Sequence, residues 1–201
     1  MTTEMFGSRK YLLSPQSYED EVSVVAEKLG WPLLGTLPED VASLTPRQFF
    51  WGKSEDLVLH YMEDVLSKSP CAFVTGVDER QVATAARFLE AQLRPATVEE
   101  ILDAADAVQD IPHDYVLAVL RLGLGAPESF DERFCSRIGK AARNSHDEVR
   151  KAAAWATSYV VWPQFIPLLS QLAESDSSES VRRAAIDILS AYHKEFDEDE
   201  S

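Results

Sequence analysis

The sequence predicts an all-α fold, a short α-solenoid of about four helical hairpins with an N-terminal helical cap. Three observations point that way. Similar segments begin at Val82, Val116, Val149 and Val181, so the steps between them are 34, 33 and 32 residues. Within each segment the +3, +4 and +7 positions are small or apolar, as in Ala85, Ala86 and Leu89 or Ala152, Ala153 and Ala156. The other two segments carry Val119, Leu120 and Gly123, and Ala184, Ala185 and Ile188. These offsets share one side of an α-helix, and small residues there let another helix come close. Hairpins repeating at this period bury themselves by stacking. Finally, the chain has only 8 glycines and a second half rich in alanine and leucine, which favours helix over strand.

Taken in order, Glu21 to Leu29 reads as a helix, with Val22, Val25, Ala26 and Leu29 on one face. Trp31-Pro32 breaks it, and Thr45-Pro46 opens an aromatic segment holding Phe49, Phe50 and Trp51. Residues 1–52 therefore read as a cap segment over the apolar end of the stack. The repeat domain is expected over 53–194. Its helices fall at about 54–68, 79–93, 98–109, 113–124, 130–143, 146–160, 163–174 and 179–194. Thr97 to Glu100, Ser129 to Glu132 and Ser145 to Glu148 have capping-box spacing. Pro163 suits a helix start, and Pro167 should bend the helix it falls in. Residues 195–201 read as a disordered acidic tail.

The stretch from Phe165 to Leu189 resembles a HEAT repeat through Pro167, Leu168, Leu169, Asp176, Val181, Arg182, Ala184 and Ala185. The preceding segment shares Val149, Arg150, Ala152 and Ala153, with Asn144 where the family has aspartate. The segments at Val82 and Val116 carry Ala83 and Leu117 in place of the arginine. The resemblance implies a scaffold or binding module; the family includes adaptors, transport receptors, lyase-like repeat proteins and bacterial immunity proteins. It also implies that Arg150 and Arg182 pair with turn aspartates, with Asp147 and Asp176 as partners.

The formal charge is −15. Such a surface repels phosphate backbones and anionic lipid, so nucleic acid and membranes are poor partners and a basic protein is a better one. Cys71 and Cys135 make neither a disulfide framework nor a metal-ligand spacing and read as packing residues. Met1 to Lys10 lacks the apolar core of a signal peptide, and no run approaches a membrane span, so a soluble cytoplasmic protein is expected. Glycine-rich phosphate loops and catalytic motifs of the common hydrolases are absent, so no enzyme, cofactor or metal is expected. Asp56, His60 and Glu63 would share the outer face of a helix over 54–68, which reads as a solvated charged face. Arg80, Arg87, Arg121, Lys151 and Arg183 recur on the second helices, but the surrounding acidity opposes a DNA-binding role.

Partner binding is the function these features favour. On the helix from Val98 to Gln109, Ile101, Leu102 and Ala105 gather on one side, while Glu99, Asp103, Asp106 and Asp110 gather on the other without basic relief. That stripe is a candidate docking face. Trp155 is a second candidate contact, because aromatic residues anchor interfaces. The expectation is an immunity or inhibitor protein of bacterial type that neutralises a basic partner such as a toxin. The alternatives are a general scaffold or adaptor in a regulatory complex, and a lyase-type HEAT-like enzyme component.

Overall fold

The computed structural model describes residues 5–14 and 19–199. The chain divides into two compact units, Met1–Thr97 and Val98–Ser201. The first unit overturns the all-α solenoid expected for the chain, because it is built on a six-stranded antiparallel sheet. Its strands are β1 (Phe6–Gly7), β2 (Tyr11–Leu12), β3 (Leu33–Leu37), β4 (Arg47–Ser54), β5 (Leu57–Glu63) and β6 (Pro70–Gly76). They lie in the order β1-β6-β5-β4-β3, with β2 also on β6, so β3 to β6 form a meander. Two short turns make it possible. At residues 54–56 the Asp56 N–H donates to the Ser54 hydroxyl. After β5, the Ser67 N–H donates to the Asp64 carboxylate at 2.6 Å, and Lys68 takes the left-handed backbone at φ 53° that reverses the chain.

Helices α1 (Glu19–Leu29) and α2 (Glu79–Leu93) belong to this unit. Val22, Val25 and Ala26 of α1 and Val82, Ala85, Ala86 and Leu89 of α2 share one core with Trp51, Leu59, Tyr61, Ala72 and Val74 of the sheet. The strand register lines Trp51, Leu59 and Val74 across three strands, and Phe49, Tyr61 and Ala72 beside them. Arg47 ties α1 to the sheet, donating to Glu19 at 2.7 Å and to Glu63 at 2.8 Å. The Asp78 carboxylate caps α2 by accepting from the N–H groups of Arg80 and Gln81.

Each misreading in this half has a physical cause. The helix expected over 54–68 is β5 and its following turn. Leu57, Val58, Tyr61, Met62 and Val65 are spaced as on a helix, yet β5 is buried on both faces. Burial of both faces erases the alternation that marks a strand. The helical cap is replaced by sheet, and the boundary expected at 52/53 falls inside β4. The segment at Val82 is a helix of the anticipated extent, but its small-residue face joins a core shared with the sheet and α1 instead of stacking in a row of helical hairpins.

The second unit is entirely helical among the described residues. It comprises α3 (Val98–Ala107), α4 (Pro112–Gly125), α5 (Glu132–Ala141), α6 (Asp147–Thr157), α7 (Ile166–Ser175) and α8 (Glu179–Asp199), with a single 3-10 turn at Pro163–Phe165. They pair as three hairpins, α3 with α4, α5 with α6 and α7 with α8, and α4, α6 and α8 stack side by side. The repeat is therefore real but has three members. Of its starting valines Val149 and Val181 are buried and Val116 is half-buried. In all three segments the +3, +4 and +7 residues are buried, Val119, Leu120 and Gly123 in α4, Ala152, Ala153 and Ala156 in α6, and Ala184, Ala185 and Ile188 in α8.

Smaller corrections concern helix ends. Asp131, not Ser129, caps α5, and His146 opens α6 with no side-chain cap. Pro167 bends nothing: α7 starts at Ile166, so the proline sits in the first turn where its missing N–H costs nothing. The acidic tail expected to be disordered from 195 is helical as far as Asp199; residues 200 and 201 lie outside the described residues. Arg150 forks onto the Asp176 carboxylate at 2.7 and 2.8 Å. Arg182 instead donates to the Asp176 backbone carbonyl at 2.6 Å, and Asp147 accepts from Ser178 at 2.9 Å. The Arg150 hydrogen bonds hold the Asp176 carboxyl below the usual aspartate range.

Helices α4 and α6 approach very closely at Gly123 of α4. A Cβ there would lie 2.1 Å from the Ala156 carbonyl oxygen and 2.7 Å from its Cα. Those are backbone atoms that no side-chain movement can clear. Gly123→Ala must push α4 and α6 apart, so we expect it to destabilise the protein by about 3 kcal/mol. A urea titration of the variant against the parent chain checks this; a loss below about 1 kcal/mol would contradict the contact.

Candidate functional site

The acidic stripe on α3 exists, but it is not free of basic relief. Glu99, Asp103, Asp106 and Asp110 are all exposed, but α3 ends at Ala107, so Asp110 stands in the following turn and not on the helix face expected to run to Gln109. Arg133 of α5 reaches Glu99 at 3.3 Å, and Arg137 forks onto Asp106 at 2.5 to 3.1 Å. Lys140 hydrogen-bonds Gln109 one turn further on. Arg133 also grips Asp131 at 2.7 Å, and these hydrogen bonds hold the Asp131 carboxyl down. Asp103 and Asp110 take no ion-pair partner among the described residues. Two of the four stripe carboxylates are thus tied to α5, and two face solvent unpaired. The relief was invisible in sequence because α5 lies beyond α4, and only stacking of hairpins sets it beside α3.

Trp155 lies elsewhere. The helices α3, α5 and α7 form one layer of this unit and α4, α6 and α8 the other, so Trp155 on α6 is not part of the acidic stripe. It lines a hollow of about 310 Å³ together with Ser158, Val161, Asp187, Ile188, Ala191 and Tyr192. Tyr192 is buried at its base and donates its hydroxyl to the Thr157 and Val160 carbonyls at 2.8 and 3.0 Å. Burial pushes that phenol up to about 12, so it acts as a fixed donor. Asp187 is exposed on the rim, and Val161 there is 39% exposed. Asp187 was not singled out from the sequence. A signal for it existed: Trp155 and Asp187 each stand six residues after the repeat valines Val149 and Val181, and equivalent positions in stacked hairpins become neighbours.

Asp56, His60 and Glu63 do not form one face. His60 and Glu63 sit on opposite sides of β5, where side chains alternate. His60 stacks on Phe73 at 4.4 Å, meets Phe50 edge-on at 5.2 Å, and shares a 2.7 Å hydrogen bond with Thr75 through Nε2. Its Nδ1 is buried without a partner among the described residues. Burial pushes its pKa down to about 4, so the ring is neutral at physiological pH. No cluster of three His, Cys, Asp or Glu side chains could hold a metal ion among the described residues. The Cys71 thiol is pushed up to about 12 by burial and is no nucleophile; Cys135 is raised for the same reason.

Two further surface features belong to the first unit. A hollow of about 420 Å³ is lined by Leu29, Trp31, Leu57, Gln81, Thr84 and Phe88 among others, but the Asp78 carboxylate on it is engaged in capping α2. The edge strand β3 exposes Leu33, Leu34 and Leu37, each more than 40% accessible. No helix is long and apolar enough to cross a membrane among the described residues. No protein-family model, curated protein or solved structure matches this chain.

The His60 environment fixes a sign for pH dependence. The folded pKa of about 4 lies below the ordinary histidine value of 6.5. The fold therefore opposes protonation, with no cost above pH 6.5 and a growing one as the pH falls towards 4. We expect His60→Phe to keep the ring stack and remove this cost, so the variant gains on the parent by up to about 3 kcal/mol between pH 7 and 4. Urea midpoints of both proteins across that range test it; a stability difference that stays constant would contradict the buried neutral ring.

Proposed function

We propose that the chain is a protein-binding module that takes a basic protein partner, a toxin or other effector being the class its charge suits. The observation that carries the reading is the pair of unpaired carboxylates, Asp103 on an α3 that holds no basic residue of its own and Asp110 in the turn that follows it. Acidic residues near the C-terminal end of a helix oppose its dipole and cost a few tenths of a kcal/mol or more each. Arg137 offsets that for Asp106; Asp110, just past the end of α3, has no ion-pair partner among the described residues. Exposed charge kept at a cost to the helix suits a docking role, because it speeds encounter with an oppositely charged surface. The net charge of −15 reinforces the same preference and disfavours phosphate-backbone ligands. In this reading the chain works by occupying its partner's surface and carries out no reaction itself.

The double variant Asp103→Ser with Asp110→Ser removes the free carboxylates and leaves both arginine pairs intact. With the basic partner co-purified from the source cells, we expect its affinity to fall about tenfold at low salt, and the difference to shrink as ionic strength rises. Urea stability should be unchanged or slightly higher. An unaltered low-salt affinity would remove the acidic face from the account, and recovery of only acidic or neutral partners would remove the reading itself.

A further inference from the structure

The hollow between α6 and α8 has the chemistry of a cation receptor, and nothing in the fold uses it. Three independent features turn negative potential into it. The half-buried Trp155 ring forms a wall, and the face of an indole attracts cations. Its N–H has no hydrogen-bond partner among the described residues. The Asp187 carboxylate stands exposed on the opposing helix, with no ion pair among the described residues. Ser158, which also lines the hollow, is the C-cap of α6, so the negative end of that helix dipole borders the space, with its Trp155 and Thr157 carbonyls accepting from Ser158 and Tyr192. The last turn of α6 holds no basic residue to neutralise it. The rest of the lining, Val161, Ile188 and Ala191, is apolar and matches an aliphatic stem rather than a hydrated ion.

We propose that this hollow receives an arginine side chain presented by a partner protein. A guanidinium is flat, so it stacks on Trp155 while its N–H fork meets Asp187; it is also less strongly hydrated than an ammonium. The methylene stem lies along Val161 and Ile188, and a volume of about 310 Å³ accommodates one such side chain with its backbone outside. This rests on the reading of the chain as a receptor for a basic protein, but it concerns the layer opposite the α3 stripe, so the two can be tested apart.

The probe is the tripeptide acetyl-Gly-Arg-Gly-amide, titrated into the full chain while the Trp155 indole ¹⁵N–¹H resonance is followed, its assignment made with Trp155→Phe. The proposal expects a saturable shift in the millimolar range, as befits one side chain. The isosteric citrulline tripeptide should give no saturable shift, and Asp187→Asn should weaken the arginine peptide about tenfold. Equal binding of citrulline, no effect of Asp187→Asn, or no saturable shift would each overturn the proposal; equal binding of a lysine tripeptide would overturn the choice of arginine. The other indole resonances report whether each variant is folded. If the tripeptide fails while Asp103→Ser with Asp110→Ser still weakens the partner complex, this inference falls and the acidic-face reading stands.

Discussion

The second unit depends on how closely α4 can approach α6. At Gly123 the hydrogen that replaces a side chain points at the Ala156 carbonyl, and a methyl group in its place would overlap backbone atoms. The buried face that α6 brings to that point is mostly alanine, so at Gly123 the two helices meet nearly backbone to backbone. This spacing fixes where the end of α6 lies, and hence where Trp155 and Ser158 stand relative to Asp187 and Tyr192 of α8. The same stacking brings α5 beside α3, which is how Arg133 and Arg137 come to hold Glu99 and Asp106.

That half of the fold was legible because stacked hairpins repeat, and repetition survives in sequence. The spacing of Val149 and Val181 located α6 and α8, and small residues after each marked the buried faces. What sequence could not distinguish was the partner of such a face. Val82, Ala85, Ala86 and Leu89 have the spacing of a helix packed on a helix, yet they lie against Trp51, Leu59 and Val74 of a sheet. A helix surface of small apolar residues accepts either neighbour. The strands stayed hidden for a related reason: β5 is covered on both faces, so Leu57 to Val65 shows no alternation and imitates a helical stripe.

The candidate surfaces divide along the same line. Glu99, Asp103 and Asp106 could be placed on one face from their spacing alone, since that is a property of a single helix, whereas Asp110 falls past the end of α3. Which of them were neutralised could not, since Arg133 and Arg137 come from 31 or more residues away. Trp155 stood out by composition, but its companions Asp187 and Tyr192 become neighbours only once the hairpins are aligned. His60, read as a surface charge, is a neutral ring wedged between Phe50 and Phe73, an outcome that follows from strand rather than helix geometry.

The contact that organises the hairpins can be observed directly. A nuclear Overhauser spectrum of the labelled chain should contain a cross-helix contact between a Gly123 α-proton and the Ala156 α-proton, since a Cβ at Gly123 would stand 2.7 Å from the Ala156 Cα. Its presence would establish the backbone-to-backbone approach from which the Trp155 hollow and the α3 to α5 ion pairs follow. Its absence, with the sequential contacts inside α4 and α6 intact, would mean that the helices sit further apart, and the geometry assigned to both surfaces would fail with it.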